Sequence, residues 1–414
     1  MNVVVSGIGI AGPALAFWLE RAGHEVLLVE EAPRLRSGGY VVDVWGVGYD
    51  LLERMGLIRG ILEAGYQVRE VRFVDGDGRA VGGFGTGVFA RATDGRFTSV
   101  RRSDISRLVF EALGPSVEPV FGDSVAGFEE AGDGVTVRFE RRAPVRADLL
   151  VGADGLHSRV RELAFGPESD FEVPLGYHVA AFQVEGYRPR DELVYVTRGL
   201  PGRQISRFAM RGDRTLFLLV FRSELLDGPR PDSDEGRREA LREVFRGAGW
   251  EWPRISEAMQ SAGDLYFDVV SQIRMDRWTR GRVALVGDAA ACASLLAGEG
   301  SGLALLEAYV LAGELERAVG GSSGGGAAAG SPRAAGGRVS ASDLAAAFSA
   351  YERRLVPFLS RKQKSAEKFA ASFAPRTARG LAFRNLVTRL LRFGPVADRF
   401  IGRDLRDDIQ VPEY

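Results

Sequence analysis

The stretch Val3-Val4-Val5-Ser6-Gly7-Ile8-Gly9-Ile10-Ala11-Gly12-Pro13-Ala14 decides the fold. A β-branched run leads straight into Gly-x-Gly-x-x-Gly, and the residues after it (Leu15, Phe17, Trp18, Leu19) have helical spacing. Strand, tight turn and helix form the opening of a dinucleotide-binding βαβ unit. Gly7 takes the backbone angles of the turn, Gly9 lets the main chain approach a pyrophosphate, and Gly12 lets helix and strand pack closely. The helix start adds unpaired N–H groups and the positive end of its dipole. A second strand, His24-Glu25-Val26-Leu27-Leu28-Val29, ends on Glu30. That acid lies roughly 20 residues beyond the glycines, where a ribose hydroxyl needs an acceptor. Ala11 in the turn and Glu31 beside Glu30 belong to the same nucleotide-facing set. The pattern specifies a dinucleotide without saying which one.

Composition narrows the class. The chain has 414 residues, 45% hydrophobic and 26% charged, with a formal net charge of −1 from 54 basic and 55 acidic side chains. Such a balance gives no global field for nucleic acid, and the length calls for two or three domains. The lone Cys292 excludes an intrachain disulfide framework, and three scattered histidines (His24, His157, His178) argue against a metal site. The N-terminal stretch reads as a buried strand and helix, not as a signal peptide or membrane span, so a cytoplasmic protein is expected. Oligomeric state is not legible, and no coiled-coil pattern appears.

Along the chain, Glu31 to Tyr40 reads as a loop, Val41-Val42-Asp43-Val44-Trp45 as a strand, and Gly48 to Gly56 as a helix. A helix begins at Arg101-Arg102-Ser103, and a β-meander is expected over Val117–Phe121, Ser124–Glu129 and Val135–Phe139. Ala147-Asp148-Leu149-Leu150-Val151 then runs into the polar glycine loop Gly152-Ala153-Asp154-Gly155. Between about 170 and 273 the pattern becomes that of an antiparallel sheet, with Glu235 to Phe245 as an exposed helix. Val283 to Asp288 returns to a buried strand ending on an acid, followed by Gly298, Gly300 and Gly302 and a helix over Leu303–Arg317. Residues 320–337 are nearly all Gly, Ala and Ser and read as a flexible loop. A long helix over 341–374 and Arg-rich amphipathic helices over 376–403 close the chain, with Arg376, Arg379, Arg384, Arg389 and Arg392 on one solvated basic face.

The three strand-to-glycine junctions, taken in order, resemble the fingerprints of the class A flavin-dependent monooxygenases, the para-hydroxybenzoate hydroxylase-like family. In length the chain is nearest that family's tetracycline-inactivating monooxygenases. Gly7 to Gly12 with Glu30 is the first element, Gly152-Ala153-Asp154-Gly155-Leu156-His157-Ser158-Arg159 looks like the Asp-Gly motif, and Gly287-Asp288-Ala289-Ala290 with Gly298 to Gly302 looks like the Gly-Asp motif. The resemblance spans roughly residues 1–320. It implies an α/β fold in which a Rossmann-like FAD-binding domain (1–72, 101–168 and 274–340) interleaves with a mostly antiparallel β-sheet substrate domain (73–100 and 169–273), ahead of a C-terminal helical region (341–414). FAD is the implied cofactor, and NAD(P)H a transient co-substrate.

Residue types then suggest roles. Asp288, ending a strand, would accept from a ribityl hydroxyl. The helix opening near Gly300-Ser301, with Gly287 and Gly298 framing the turn, would aim N–H groups at the electron-rich edge of a reduced flavin. Asp154 and Gly155 correspond to nucleotide and nicotinamide contacts, Arg102 to the arginine that holds the pyrophosphate or ribityl region, Asp43 to an acid near the flavin, and Arg36 to a nicotinamide-phosphate contact. The implied reaction is oxygenation of an aromatic or polyketide-like small molecule by O2 through a flavin hydroperoxide, with no protein nucleophile required and the catalytic residues left open. The chain departs from the family after Gly-Asp-Ala-Ala. Ala291 and Cys292 stand where His or Tyr is usual, Leu295-Leu296 replace a proline, and Glu299 replaces a neutral residue. Asp43, Leu296 and Glu299 are therefore the flavin-proximal positions to watch, since a carboxylate there disfavours a reduced anion. An FAD-dependent cyclase without net redox, and a non-catalytic flavin- or small-molecule-binding protein, remain the alternatives.

Overall fold

The computed structural model describes residues 1–36, 40–321, 339–391 and 407–414. The loop expected at 320–337 lies outside these residues apart from Gly320 and Gly321, which end the helix Gly300–Gly321; Arg392 also lies outside.

Val3, Val4 and Val5 are shielded on both faces, as are Leu149, Leu150 and Val151, so both strands read as continuous apolar runs. They are the central members of a six-stranded sheet ordered Thr279–Arg280, Val283–Leu285, Leu149–Gly152, Asn2–Ser6, Glu25–Glu30, Val117–Phe121. All neighbours in it are parallel except the short Thr279–Arg280 edge. Register pairs Ser6 with both Gly152 and Val29, and Gly152 with Leu285. The carboxyl ends of four strands therefore finish at one edge, where open α/β sheets bind ligands. Val117–Phe121 joins this sheet beside Glu25–Glu30 instead of opening the expected meander, which consists of Val125–Ala131, Gly134–Phe139 and Val145–Ala147. A short apolar run carries no signal separating parallel from antiparallel pairing.

The second sheet has seven strands in the order Leu265–Ile273, Glu172–Glu185, Arg214–Arg222, Arg203–Met210, Val194–Leu200, Glu70–Val74, Ala80–Gly85. It begins at residue 70 rather than 73, because the ladder from Glu70 to Val74 is continuous with Val194–Arg198. Side chains alternate in facing. Phe217, Leu219 and Phe221 pack beneath the helices Asp234–Val244 and Trp252–Ser261. The first of these helices is not wholly exposed: it buries Leu241 and Val244. On the other face, Tyr177, Val179 and Val220 meet Leu296, Ala370 and Ala374.

The helix Gly300–Gly321 buries residues all round its axis and packs against Ala11–Arg21, Gly46–Arg54 and Ala341–Phe373. The expected single basic face at the C-terminus is divided. In the helix Ala378–Leu390, Arg384 turns inward over the Phe73 ring and donates to Gln204, while Arg376 pairs with Glu224. Arg379 and Arg389 stay exposed.

Candidate active site

The three glycine junctions lie side by side because their strands do. Gly7 donates to Val29 O at 2.6 Å, Ala153 to Ser6 O at 2.7 Å, and Val286 to Gly152 O at 2.9 Å. Gly7 has φ +109°, and a Cβ there would stand 2.4 Å from Ala153 O; one on Gly12 would stand 2.0 Å from Gly7 O. Both positions are closed to any side chain. Gly9 is different: the nearest neighbour of an added Cβ is an Nη of Arg102 at 3.7 Å, and nothing lies within 4 Å of one on Gly155 or Gly298. These backbones face open space.

That space is a cleft of about 870 Å³, including its open mouth. Its floor is Gly9, Ile10 and Ala11 at the start of the helix Ala11–Arg21, with Arg102 beside them. Its far side is Asp288 and the loop Cys292 to Ser301, and its third wall is Tyr266, Val269 and Ser271 from the edge strand of the second sheet. Among the described residues no acid pairs with the Arg102 guanidinium, whose main-chain N–H is anchored on Tyr40 O at 3.0 Å. A cation, three open glycine backbones and two helix N-termini (Ala11–Arg21 and Gly300–Gly321) on one cleft suit an extended dianion with a polar chain, which is the shape of FAD.

Buried polar groups hold the rim. Gly287 has φ +67° and donates to Glu307 at 2.7 Å, while Tyr351 donates to Leu285 O at 3.1 Å from behind. Burial pushes the Glu307 carboxyl well above the usual range. Ser294 sits at φ 127°, a conformation costly for a side-chain-bearing residue. Two buried glutamines keep the loop there: Gln272 donates to Ala293 O at 2.8 Å, and Gln363 to Cys292 O at 3.1 Å. Asp154 does not face the cleft. Its carboxylate accepts from Ser158 Oγ at 2.5 Å and Val160 N at 3.1 Å, fixing the start of the helix Arg159–Phe165, and burial raises its pKa. Gly155 and Leu156 are the members of that motif that line the cleft. His157, next in line, bridges Glu168 at 2.9 Å and Asp268 at 3.2 Å, and the Asp268 bond lifts its pKa to about 9.

Glu30 accepts from Ile8 N at 2.8 Å and Ala32 N at 3.0 Å, so its carboxylate braces the glycine turn in this state. Arg36 is exposed and reaches Glu30 at 3.5 Å; Glu31 is exposed. Leu296 is buried with Val270 and Ala370, away from the cleft, and its neighbour Leu295 is the residue that lines it. Asp43 and Glu299 line a second, smaller pocket of about 360 Å³ that shares Ser301 with the cleft. Burial pushes Asp43 up to about 6, against the pull of a hydrogen bond from Ser99. Glu299 is tied to Lys362 at 2.9 Å.

A family model described as an FAD binding domain matches residues 1–327. An uncharacterized protein of Mycobacterium tuberculosis is 42% identical over 321 residues, covering 77% of this chain and 85% of its own length. An FAD-dependent monooxygenase of Sarocladium schorii is 30% identical, covering 100% of this chain and 98% of its own. The chain belongs to the family of FAD-binding flavoprotein monooxygenases. The crystal structure of tetracycline destructase Tet(51) matches this flavoprotein monooxygenase with a TM-score of 0.79 and 31% identity, covering 100% of this chain and 99% of that one.

The cleft of this flavoprotein monooxygenase is also lined by Tyr40 and Tyr266, to which the sequence assigned no role, and by Cys292. Tyr40 and Tyr266 stand with ring centroids 6.4 Å apart, and burial pushes the Tyr40 hydroxyl up to about 12, so both remain neutral hydrogen-bonding groups at the cleft wall. Cys292 is buried with its thiol held well above the ordinary range, 3.7 Å from Ser271 O. No local motif marks the two tyrosines, which converge from separate elements. Among the described residues, no helix is long and apolar enough to cross a membrane.

Proposed function

We propose that this flavoprotein monooxygenase is a single-component cytoplasmic enzyme that draws electrons from NAD(P)H and transfers one oxygen atom of O2 to an aromatic or polyketide-like small molecule. The six-stranded sheet and its loops would carry the cofactor, and the seven-stranded sheet the substrate. Gly9, Ala11 and the N–H groups of the helix Ala11–Arg21 would hold the pyrophosphate with Arg102, Glu30 the adenosine ribose, and Asp288 the ribityl chain. The start of the helix Gly300–Gly321, with Gly298 and Ser301, would face the ring system, favouring negative charge there. FAD supplies the redox and oxygen chemistry; the chain binds, orients and excludes water.

The observation that carries this reading is the single cleft on which Gly9, Arg102, Asp288 and Gly300 meet Tyr266, Val269 and Ser271 of the second sheet. The cofactor wall and the sheet wall are thus separated by one open space. Aromatic side chains continue along that sheet, with Tyr195 stacked on Phe208 at 4.4 Å and Phe208 edge-on to Tyr66 at 5.4 Å. Phe208 and Tyr66 are themselves buried, so this cluster backs the wall, and Tyr266 is the aromatic ring that the sheet presents to the cleft, a group that suits a planar, ring-bearing substrate. Tetracyclines belong in the first panel of candidates, given the whole-length likeness to Tet(51). The test is purified protein reconstituted with FAD, assayed for substrate-stimulated NAD(P)H oxidation with oxygen uptake. Bound FAD with no stimulated oxidation across the panel would favour a cyclase or a ligand-binding role.

A further inference from the structure

Glu299 is the acid that interrupts the glycine loop at the cleft. Gly298 and Gly300 on either side of it line the cleft, while its own side chain points into the neighbouring pocket. There it meets Lys362, from the long helix Ala341–Phe373, with Nζ 2.9 Å from Glu299 and 2.8 Å from Asp407. The three side chains are largely shielded, at 11%, 21% and 10% exposure for Lys362, Glu299 and Asp407. Asp407 is itself fixed, because its other oxygen accepts from Val47 N at 2.8 Å at the start of the helix Gly46–Arg54. Asp43 lines the same pocket. Among the described residues, one ammonium therefore serves a pocket bordered by three carboxyl groups, directly behind the loop that faces the cleft.

A partly buried charge acts over several ångströms with little screening, and an uncompensated carboxylate disfavours an additional negative charge nearby. Reduced flavin carries more negative charge than oxidised flavin. We propose that Lys362 is a positioning residue that offsets Glu299 and Asp407 and thereby sets the reduction potential of FAD bound in the cleft. Through Asp407, the C-terminal segment contributes to the pocket behind the cleft loop. The inference rests on FAD occupying the cleft.

The experiment is a spectroscopic redox titration of FAD-loaded wild type, Lys362→Met, Glu299→Gln and the double variant, with thermal unfolding of each apoprotein alongside. Formal charge in the trio is −1 in wild type, −2 in Lys362→Met, 0 in Glu299→Gln and −1 again in the double variant, counting one lysine and two acids. Lys362→Met should lower the affinity for reduced relative to oxidised FAD about tenfold, ~30 mV downward for a two-electron couple. Glu299→Gln should move the potential upward, and the double variant should return toward wild type. If Lys362→Met does not fold, Glu299→Gln still decides by the sign of its shift. Lower thermal stability with unmoved potentials, or shifts of one sign in both single variants, overturns the proposal and leaves the trio a structural ion pair. A wild type that holds no FAD overturns the flavin reading and the proposal together.

Discussion

The carboxyl group of Glu307, in the middle of the helix Gly300–Gly321, accepts the main-chain N–H of Gly287 at 2.7 Å, out of contact with water. This bond ties the strand end that presents Asp288 to the helix whose start faces the same cleft. Burial pushes the Glu307 carboxyl well up, so the folded state favours its protonated form. Glu307→Gln, which copies that form, should cost less than ~1 kcal/mol. Glu307→Ala should cost about 2–4 kcal/mol by leaving a cavity and an unpaired N–H, and should weaken FAD binding with it. An acid raised in the folded state gives stability that is lost as pH rises through its folded pKa. Glu307→Gln should therefore also flatten the fall in stability as pH rises above the ordinary carboxylate range, as denaturant titrations at several pH values would report.

The glycines separate folding from binding. Gly9→Ala meets only an Arg102 Nη at 3.7 Å, so the apoprotein should be unchanged or gain at most ~1 kcal/mol. FAD affinity should fall at least about tenfold, because the new methyl group fills the approach reserved for phosphate. Gly12→Ala drives a methyl group into Gly7 O and should cost about 3 kcal/mol or more even without cofactor. Apoprotein melting curves and FAD titrations on the same samples check both.

The contrast between Gly9 and Gly12 also shows why the cofactor half was legible. Strand–glycine–helix junctions are local, so each motif was legible by itself, and parallel strands align their ends, which brings the three together at one edge. The edge strand Val117–Phe121 was misassigned because its pairing depends on a partner that a local pattern does not name. Asp154 was expected to touch nucleotide, yet its carboxylate is occupied by Ser158 and Val160, since the same acid that suits a ligand also suits a helix start. The Glu299, Lys362 and Asp407 trio and the Tyr40 and Tyr266 wall unite residues far apart in the chain and have no periodicity to betray them.

Arg102 faces the cleft with no acid partner among the described residues. Its role should therefore be visible in binding more than in folding. Arg102→Gln should weaken FAD by about 1.5–3 kcal/mol, roughly ten- to a hundredfold in Kd, with an apoprotein melting point near that of wild type. Fluorescence titration with FAD at two salt concentrations checks it, the wild type showing the steeper salt dependence.

His157 supplies a pH dependence of its own. The Asp268 and Glu168 carboxylates raise its pKa from 6.5 to about 9. Its pairing thus stabilises the fold fully below the unfolded value, and that contribution is lost as pH rises through about 9. Thermal unfolding of wild type should fall more steeply over that window than that of His157→Gln. Parallel curves would show that the pairing of His157 with Asp268 and Glu168 adds nothing to stability.

The central claim is oxygen transfer by an FAD-loaded enzyme, and isotope incorporation tests it most directly. FAD-loaded protein, NAD(P)H and a substrate drawn from the oxidation screen are incubated under oxygen-18 gas, and the product is weighed by mass spectrometry. The account predicts a product carrying a single oxygen atom derived from the gas, formed only when NAD(P)H is present. A product that is an isomer of its substrate, or one whose new oxygen comes from water, would contradict it.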